Sequence, residues 1–315
     1  MDKFGDGDQI SISDVQNRRQ LNGFKLTRVG VTEVRKQVSV RRAGMTGCLN
    51  CTIDVFVDLP STQRGSHLSR NLEVIEEVLE SSTSAPVTGL EVLSADICRG
   101  LLDKHGYASY AEANIQADYF LDRKNPSGRT TREFFKLVAK ASAFRGNGMK
   151  KMIGAQAIGM TACPCAMETV REQIRGNVHV ENEFPVISHN QRNISTLMVE
   201  VPEQYDVEAN ELIEILEESF SSPTYEILKR SDEAAVVIRA HTNPKFVEDV
   251  VRDILTRVLQ RYSTLPNDVI VTARSESQES IHKHNAFAER VTTLGELRDR
   301  SMQEGVDLGS RGGCS

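Results

Sequence analysis

Two stretches decide the fold: "VDLP" at 57–60 with "VIEEVLESS" at 74–82, and "VEVP" at 199–202 with "LIEILEESFSS" at 212–222. In each, an alternating strand stops at a proline and gives way to an acidic amphipathic helix, so the chain reads as two copies of one unit. In the first copy, "VRKQVSVRR" (34–42) and "NCTIDVFVDL" (50–59) alternate apolar and polar residues as half-buried strands do. Gly44 and Gly47 between them mark a hairpin turn. The following helix sets Leu72, Ile75, Val78 and Leu79 on one face and acids on the other. In the second copy "ISTLMVEVP" (194–202) is the strand, and Leu212, Ile215 and Leu216 line the helix.

Both copies continue alike. A helix at "LSADICRGLLDKHG" (93–106) precedes the strand-like runs 108–123 and 150–164, and a helix at 243–262 precedes the strand "DVIVTARSES" (268–277). The pattern predicts an α+β class, antiparallel sheets with two helices on one face, duplicated in tandem. The expected division is an arm over 1–30, a first unit over 31–165, a connecting segment over 166–187, a second unit over 188–300 and a loose tail over 301–315.

A chain of 315 residues has room for two cores. The net charge of -6 gives no general attraction to nucleic acid or to an anionic membrane. No apolar run approaches the ~20 residues that cross a bilayer, and "MDKFGDGDQI" lacks the marks of a signal peptide, so a cytoplasmic protein is expected. In a reducing compartment the six cysteines form no disulfide framework, and the C-P-C of Cys163 and Cys165 is too tight for an unstrained bridge. That leaves metal ligand, nucleophile or core.

Around Cys163 the sequence offers His189, Glu233, Glu248, Glu279, His282 and His284. Glu279 and His282, three apart, would be neighbours on a helical turn. Thiolate, imidazole and carboxylate are the ligand types of a catalytic Zn2+ or Fe2+ site, which needs about three of them plus an exchangeable water. Each has a plain reading too. Cysteine is among the most buried residue types, which fits Cys98 or Cys165 to a core, and a lone Glu is a solvated face. What lifts the set is that compatible ligands all border strand or helix ends in one half of the chain.

The motifs "VDLPSTQRGSHLSR", "TACPC", "SHNQR", "PTYEILKRSDE", "NPKFVEDVVRDIL" and "SQESIHKHNAFAE", in order from about Val31 to Arg298, resemble the archaeal MptA-type GTP cyclohydrolases, relatives of bacterial GTP cyclohydrolase IB. The resemblance implies a bimodular tunnelling fold that assembles into an oligomeric barrel, with a homotetramer expected. It implies a metal environment of Cys163, His189, Glu233, Glu279 and His282, with Cys163 and His189 central to catalysis, and Fe(II) as the cofactor, Zn or Mn substituting in vitro. Glu248 matches the glutamate that anchors the purine. One departure is the long spacer "AMETVREQIRGNVHVENEFPVI" (166–187), which resembles the archaeal branch and contains the unmatched His179.

The implied reaction adds water at C8 of the guanine of GTP, opens the imidazole ring and releases formate. The archaeal branch implies 7,8-dihydroneopterin 2',3'-cyclic phosphate as product, the bacterial branch 7,8-dihydroneopterin triphosphate. A carboxylate at Glu248 can accept two hydrogen bonds from guanine, a pattern adenine cannot offer. For the triphosphate, Arg64, His67, Arg70, Lys229 and Arg230 are the candidate cations, the last two reading equally well as a solvated turn. Two rival readings stand beside this one: a tunnelling-fold protein that binds a pterin or purine for another step, and a non-catalytic scaffold stapled by metal.

Overall fold

A computed structural model describes residues 15–17, 23–42, 45–177 and 187–304. Most of the expected arm, the tail beyond 304, Gly44 and His179 lie outside the described residues.

The chain begins with the hairpin β1 (Leu26–Arg42) and β2 (Met45–Leu59), then helices α1 (Leu68–Ser84) and α2 (Leu90–Lys104), then the hairpin β3 (Tyr110–Lys124) and β4 (Thr130–Phe144). It continues with β5 (Met149–Ala162), α3 (Pro164–Asn177), β6 (Asn190–Pro202), α4 (Ala209–Ser219), the two-residue β7 (Ser222–Pro223), α5 (Arg230–Thr242), α6 (Val247–Arg261), β8 (Ile270–Gln278), β9 (Ala286–Thr293) and α7 (Leu294–Glu304). All strands join one antiparallel sheet in the order β1-β2-β3-β4-β5-β6-β8-β9, with β7 on β5.

Strand, strand, helix, helix, strand, strand runs through β1 to β4 and recurs from β5 to β9 with α3, β7 and α5 added. By element order β5, expected from the sequence to close the first unit, opens the second; it pairs with β6 along its whole length, from Lys150↔Pro202 to Ala162↔Asn190. The two units share one core rather than two, from Ile53 and Ile115 through Leu137 and Ile153 to Leu197 and Val271. Alternation builds it. In β4, Leu137, Ala139, Ala141 and Ala143 point into the helix layer, and the small alanines let α2 lie close against β3 and β4. Glycine serves a similar end in β5: a Cβ at Gly159 would come within 2.1 Å of the Phe220 ring, so only glycine lets that buried ring rest on the strand.

The face away from the helices is concave and polar. A hollow of about 840 Å³ is lined by residues from both ends of the strand order, among them Arg35 and Glu289, which requires a strongly coiled sheet. Among the described residues β9 pairs only with β8, and β1 pairs with β2 and, near its end, bridges Val87 through Val40, the Arg41 N–H donating to the Val87 carbonyl at 2.8 Å, so both edges are open along most of their length. β1 carries an irregularity at Glu33, whose φ is 60° and whose N–H donates to Asp54 Oδ1 at 2.7 Å, a device that twists an edge. No helix among the described residues is long and apolar enough to cross a membrane.

Candidate active site

Cys163 lies where β5 ends and α3 begins, and the local sequence explains why. Proline at the first helical position sacrifices no hydrogen bond, so Cys-Pro closes a strand and opens a helix in one step. Cys163 then occupies the cap, its Sγ accepting the Ala166 N–H at 3.5 Å. The electropositive end of α3 faces the sulfur. The preceding Ala162 is fully buried and held from both sides, its N–H donating to Ser221 Oγ at 3.3 Å and its carbonyl accepting the Lys245 N–H at 3.0 Å.

His189 arrives beside it at the start of β6. The Cys163 N–H donates to the His189 carbonyl at 3.1 Å, and Ser188 Oγ donates to the Cys163 carbonyl at 2.6 Å. The ring is oriented from behind: Nδ1–H donates to Gln191 Oε1 at 3.0 Å, and Gln191 Nε2 donates to Glu279 Oε1 at 3.3 Å. Glu279 Oε2 is 3.9 Å from the same Nδ1. This leaves Nε2 as the nitrogen not engaged by these bonds, its lone pair free for a ligand, with Glu279 as a group that steers the imidazole.

Beneath lies a buried polar seam that the sequence reading lacked. Thr161, Asn193, Ser195, Ser275 and Ser277 are bonded to one another across β5, β6 and β8. Asn193 and Ser195, like Ser275 and Ser277, stand two apart in otherwise apolar-inward strands, and that spacing was the available signal.

The remaining expected residues divide by position. Glu279 to Asn285 is a loop between β8 and β9, so the helical turn expected for Glu279 and His282 is not formed. His282 is exposed and stacks on His284 with ring centroids 5.1 Å apart. Glu233 is exposed on the first turn of α5, and Lys229 and Arg230 are exposed at its start. That start is held by Asp232, which accepts from the Lys229 N–H at 3.0 Å and from Ser127 Oγ in the β3–β4 turn at 3.1 Å. Glu248, exposed on the first turn of α6, lines a groove of about 630 Å³ between α6, β9 and α7. All these residues belong to the Cys163 end of the sheet. Among the side chains of the expected metal set, His189 and Glu279 approach each other, and among the described residues no three His, Cys, Asp or Glu side chains converge on a metal-sized site.

Arg64, His67 and Arg70 are elsewhere. They follow β2, whose end lies level with the beginning of β5 through the register Val57↔Ala111, Tyr110↔Phe144 and Ala143↔Met149. The 14 residues of β5 separate them from Cys163. At ~3.3 Å per residue that is roughly 45 Å, beyond the reach of any side chain in the same chain. Cys165, read from the sequence as core, is exposed, whereas Cys98 is buried as expected and its thiol is pushed up to about 12 by burial.

The architecture is that of the tunnelling fold, and a hyper-thermostable AgUricase mutant of solved structure shares it: TM-score 0.51 over 85% of this chain and 91% of that one, at 8% identity. Residues 12–288 match the type I GTP cyclohydrolase folE2 family, and the chain belongs to that family, whose members are hydrolases. Two similar relatives carry the name GTP cyclohydrolase MptA. That of Methanosarcina mazei is 43% identical over 313 residues, 93% of this chain and 98% of the relative. That of Methanothermobacter thermautotrophicus is 45% identical over 304 residues, 92% and 96% respectively.

Proposed function

We propose that the chain is a metal-dependent GTP cyclohydrolase of pterin biosynthesis that yields 7,8-dihydroneopterin 2',3'-cyclic phosphate. The observation that carries the reading is the pair formed by Cys163 at a helix cap and His189 bonded to its backbone, ring steered by Gln191 and Glu279. A soft sulfur and an imidazole with one nitrogen unbonded suit a divalent ion of the Fe(II), Zn or Mn kind, and Glu233 and His282, which lie at the same end of the sheet without converging on Cys163, would be the further donors. Held there, such an ion supplies the Lewis acidity that makes water a nucleophile at neutral pH.

The protein's own groups do the rest. Glu248 accepts the guanine N1–H and amino protons, fixing which base enters and which way C8 points. Lys229 and Arg230, at the positive end of α5, attract the phosphates. Glu279, through Gln191, keeps the His189 ring from rotating. Arg64, His67 and Arg70 join this set only from a second copy of the chain, and the two open sheet edges supply a means for copies to meet, so we assign the working enzyme as a homo-oligomer, a tetramer. Two modules, the second opening with β5, and the cytoplasm as compartment belong to the same reading.

The cyclic phosphate is preferred over the triphosphate because the chain is 41–45% identical to proteins named MptA over nearly their whole length. Ring opening releases formate in either case, but only cyclisation onto the 2'-hydroxyl expels pyrophosphate. Incubation with GTP and Fe(II) without oxygen is therefore expected to give formate and pyrophosphate in equal amounts. Formate without pyrophosphate would assign the triphosphate product instead.

A further inference from the structure

Lys245 lies between the two halves of the proposed site and touches neither. Its backbone N–H donates to the carbonyl of Ala162, the residue before Cys163. Its side chain is 11% exposed, and the ammonium donates to Ser219 O at 2.9 Å and to Asp253 Oδ2 at 2.5 Å. Ser219 is the last residue of α4, where helix carbonyls lack partners, and Asp253 is in the second turn of α6, the helix that carries Glu248. Asn243 adds to the weave, its Nδ2 donating to Phe220 O at 3.3 Å.

We infer that Lys245 is a positioning residue for the purine: it sets where the first turn of α6, and so Glu248, stands relative to the end of β5 and Cys163. Its backbone fixes one side of this relation and its ammonium the other. A lysine side chain this enclosed, with its ammonium held by two oxygens from two helices, is set in place by those partners rather than being a generic surface cation. The inference rests on the reading of Cys163 and Glu248 given above.

Lys245→Met keeps the aliphatic stem and the backbone bond and removes only the ammonium. Asp253 is 43% exposed and stays hydrated, so the variant is expected to fold. The probe is a pair of nucleotides, GTP and ITP, which differ by the exocyclic amino group that Glu248 would accept. Binding of each is measured by calorimetry in the presence of chelator, where no turnover occurs, for the wild type, Lys245→Met, Glu248→Gln and Asp253→Asn.

The wild type should prefer GTP, and Glu248→Gln should lose most of that preference. Lys245→Met should lose it in part, by roughly fivefold, with melting temperature recorded alongside, and Asp253→Asn should move in the same direction. A lysine that merely holds the fold together would weaken GTP and ITP equally and leave their ratio unchanged. An unchanged ratio in Lys245→Met while Glu248→Gln loses it overturns the inference and spares the reading of Glu248. An unchanged ratio in Glu248→Gln, or no preference in the wild type, overturns both.

Discussion

His105 and His189 stand at opposite ends of one sheet and are held in opposite ways. His105 is wholly buried between α2 and β3. Its Nε2–H donates to Asn71 Oδ1 at 2.7 Å, its Nδ1 accepts from Tyr107 OH at 2.8 Å, and Ser66 Oγ in turn lies 2.9 Å from the tyrosine oxygen. Burial, then the charges of Arg70 and His67, press its pKa down to about 4. His189 is bonded through one nitrogen and presents the other. Closure on both nitrogens makes a structural histidine, and closure on one, with a carboxylate behind it, makes a histidine available to a ligand. The two histidines should therefore fail differently: loss of His189 or its neighbour Cys163 removes chemistry and spares the fold, and loss of His105 itself costs stability and leaves metal binding intact.

The largest effect is expected from Cys163→Ala. Loss of an outer partner of a metal ligand costs about 10–100-fold, and loss of the sulfur itself should exceed that, with metal content falling and the melting temperature unchanged. Metal analysis and formate release on one preparation decide it; a metal-replete, active variant would end the assignment. Next is Glu248→Gln, which puts a donor against the guanine edge and should weaken GTP by ~1 to 3 kcal/mol with metal retained. Unaltered GTP affinity would make Glu248 a surface acid of α6. Glu279→Gln should lower metal affinity about tenfold by loosening the His189 ring, an effect read by competition with a chelating dye.

The converse lesion is His105→Gln, expected to cost ~1–3 kcal/mol of stability while the enzyme that remains folded keeps its affinity for metal. Its pH signature has a definite sign. The folded state disfavours the protonated ring, so the contribution of His105 is whole above its unfolded value near 6.5 and is lost as pH falls from there toward about 4. Denaturant melts across that interval should show a slope in the wild type that shrinks in His105→Gln. Equal slopes would place the acid sensitivity elsewhere. The smallest effect is Cys165→Ala, whose exposed sulfur makes no contact the site needs; activity close to wild type is expected, and a loss like that of Cys163→Ala would erase the distinction between the two cysteines.

Much of this was legible in the sequence, for identifiable reasons. The strands β2 and β6 and the helices α1, α4 and α6 alternate or repeat strongly because one face of each meets the core. β4 and β9 were harder. In β4 the inward positions are largely alanine, which supplies little contrast, and β9 is an edge whose outward Phe287 and Val291 blur the alternation. Helix α3 does not stand out from a connecting segment because its apolar positions Met167, Val170 and Ile174 are few among charged residues, and only Met167 of these is buried. α5 carries exposed Val237 and Ile238 beside buried Val236, so its pattern has no clean face. For the site, residue types were readable and distances were not. Nothing in "QRGSHLSR" tells that a strand's length divides it from Cys163, since that follows only from the register of four strands.

The central claim is that Cys163 and His189 hold a metal on which GTP ring opening depends. It is tested most directly by stripping the protein with chelator, confirming by circular dichroism that it is still folded, and measuring formate from GTP before and after anaerobic addition of Fe(II). The account predicts no formate from the stripped protein, recovery with Fe(II) for the wild type, and no recovery for Cys163→Ala at the same metal concentration. Full formate release from the folded, metal-free protein would contradict it.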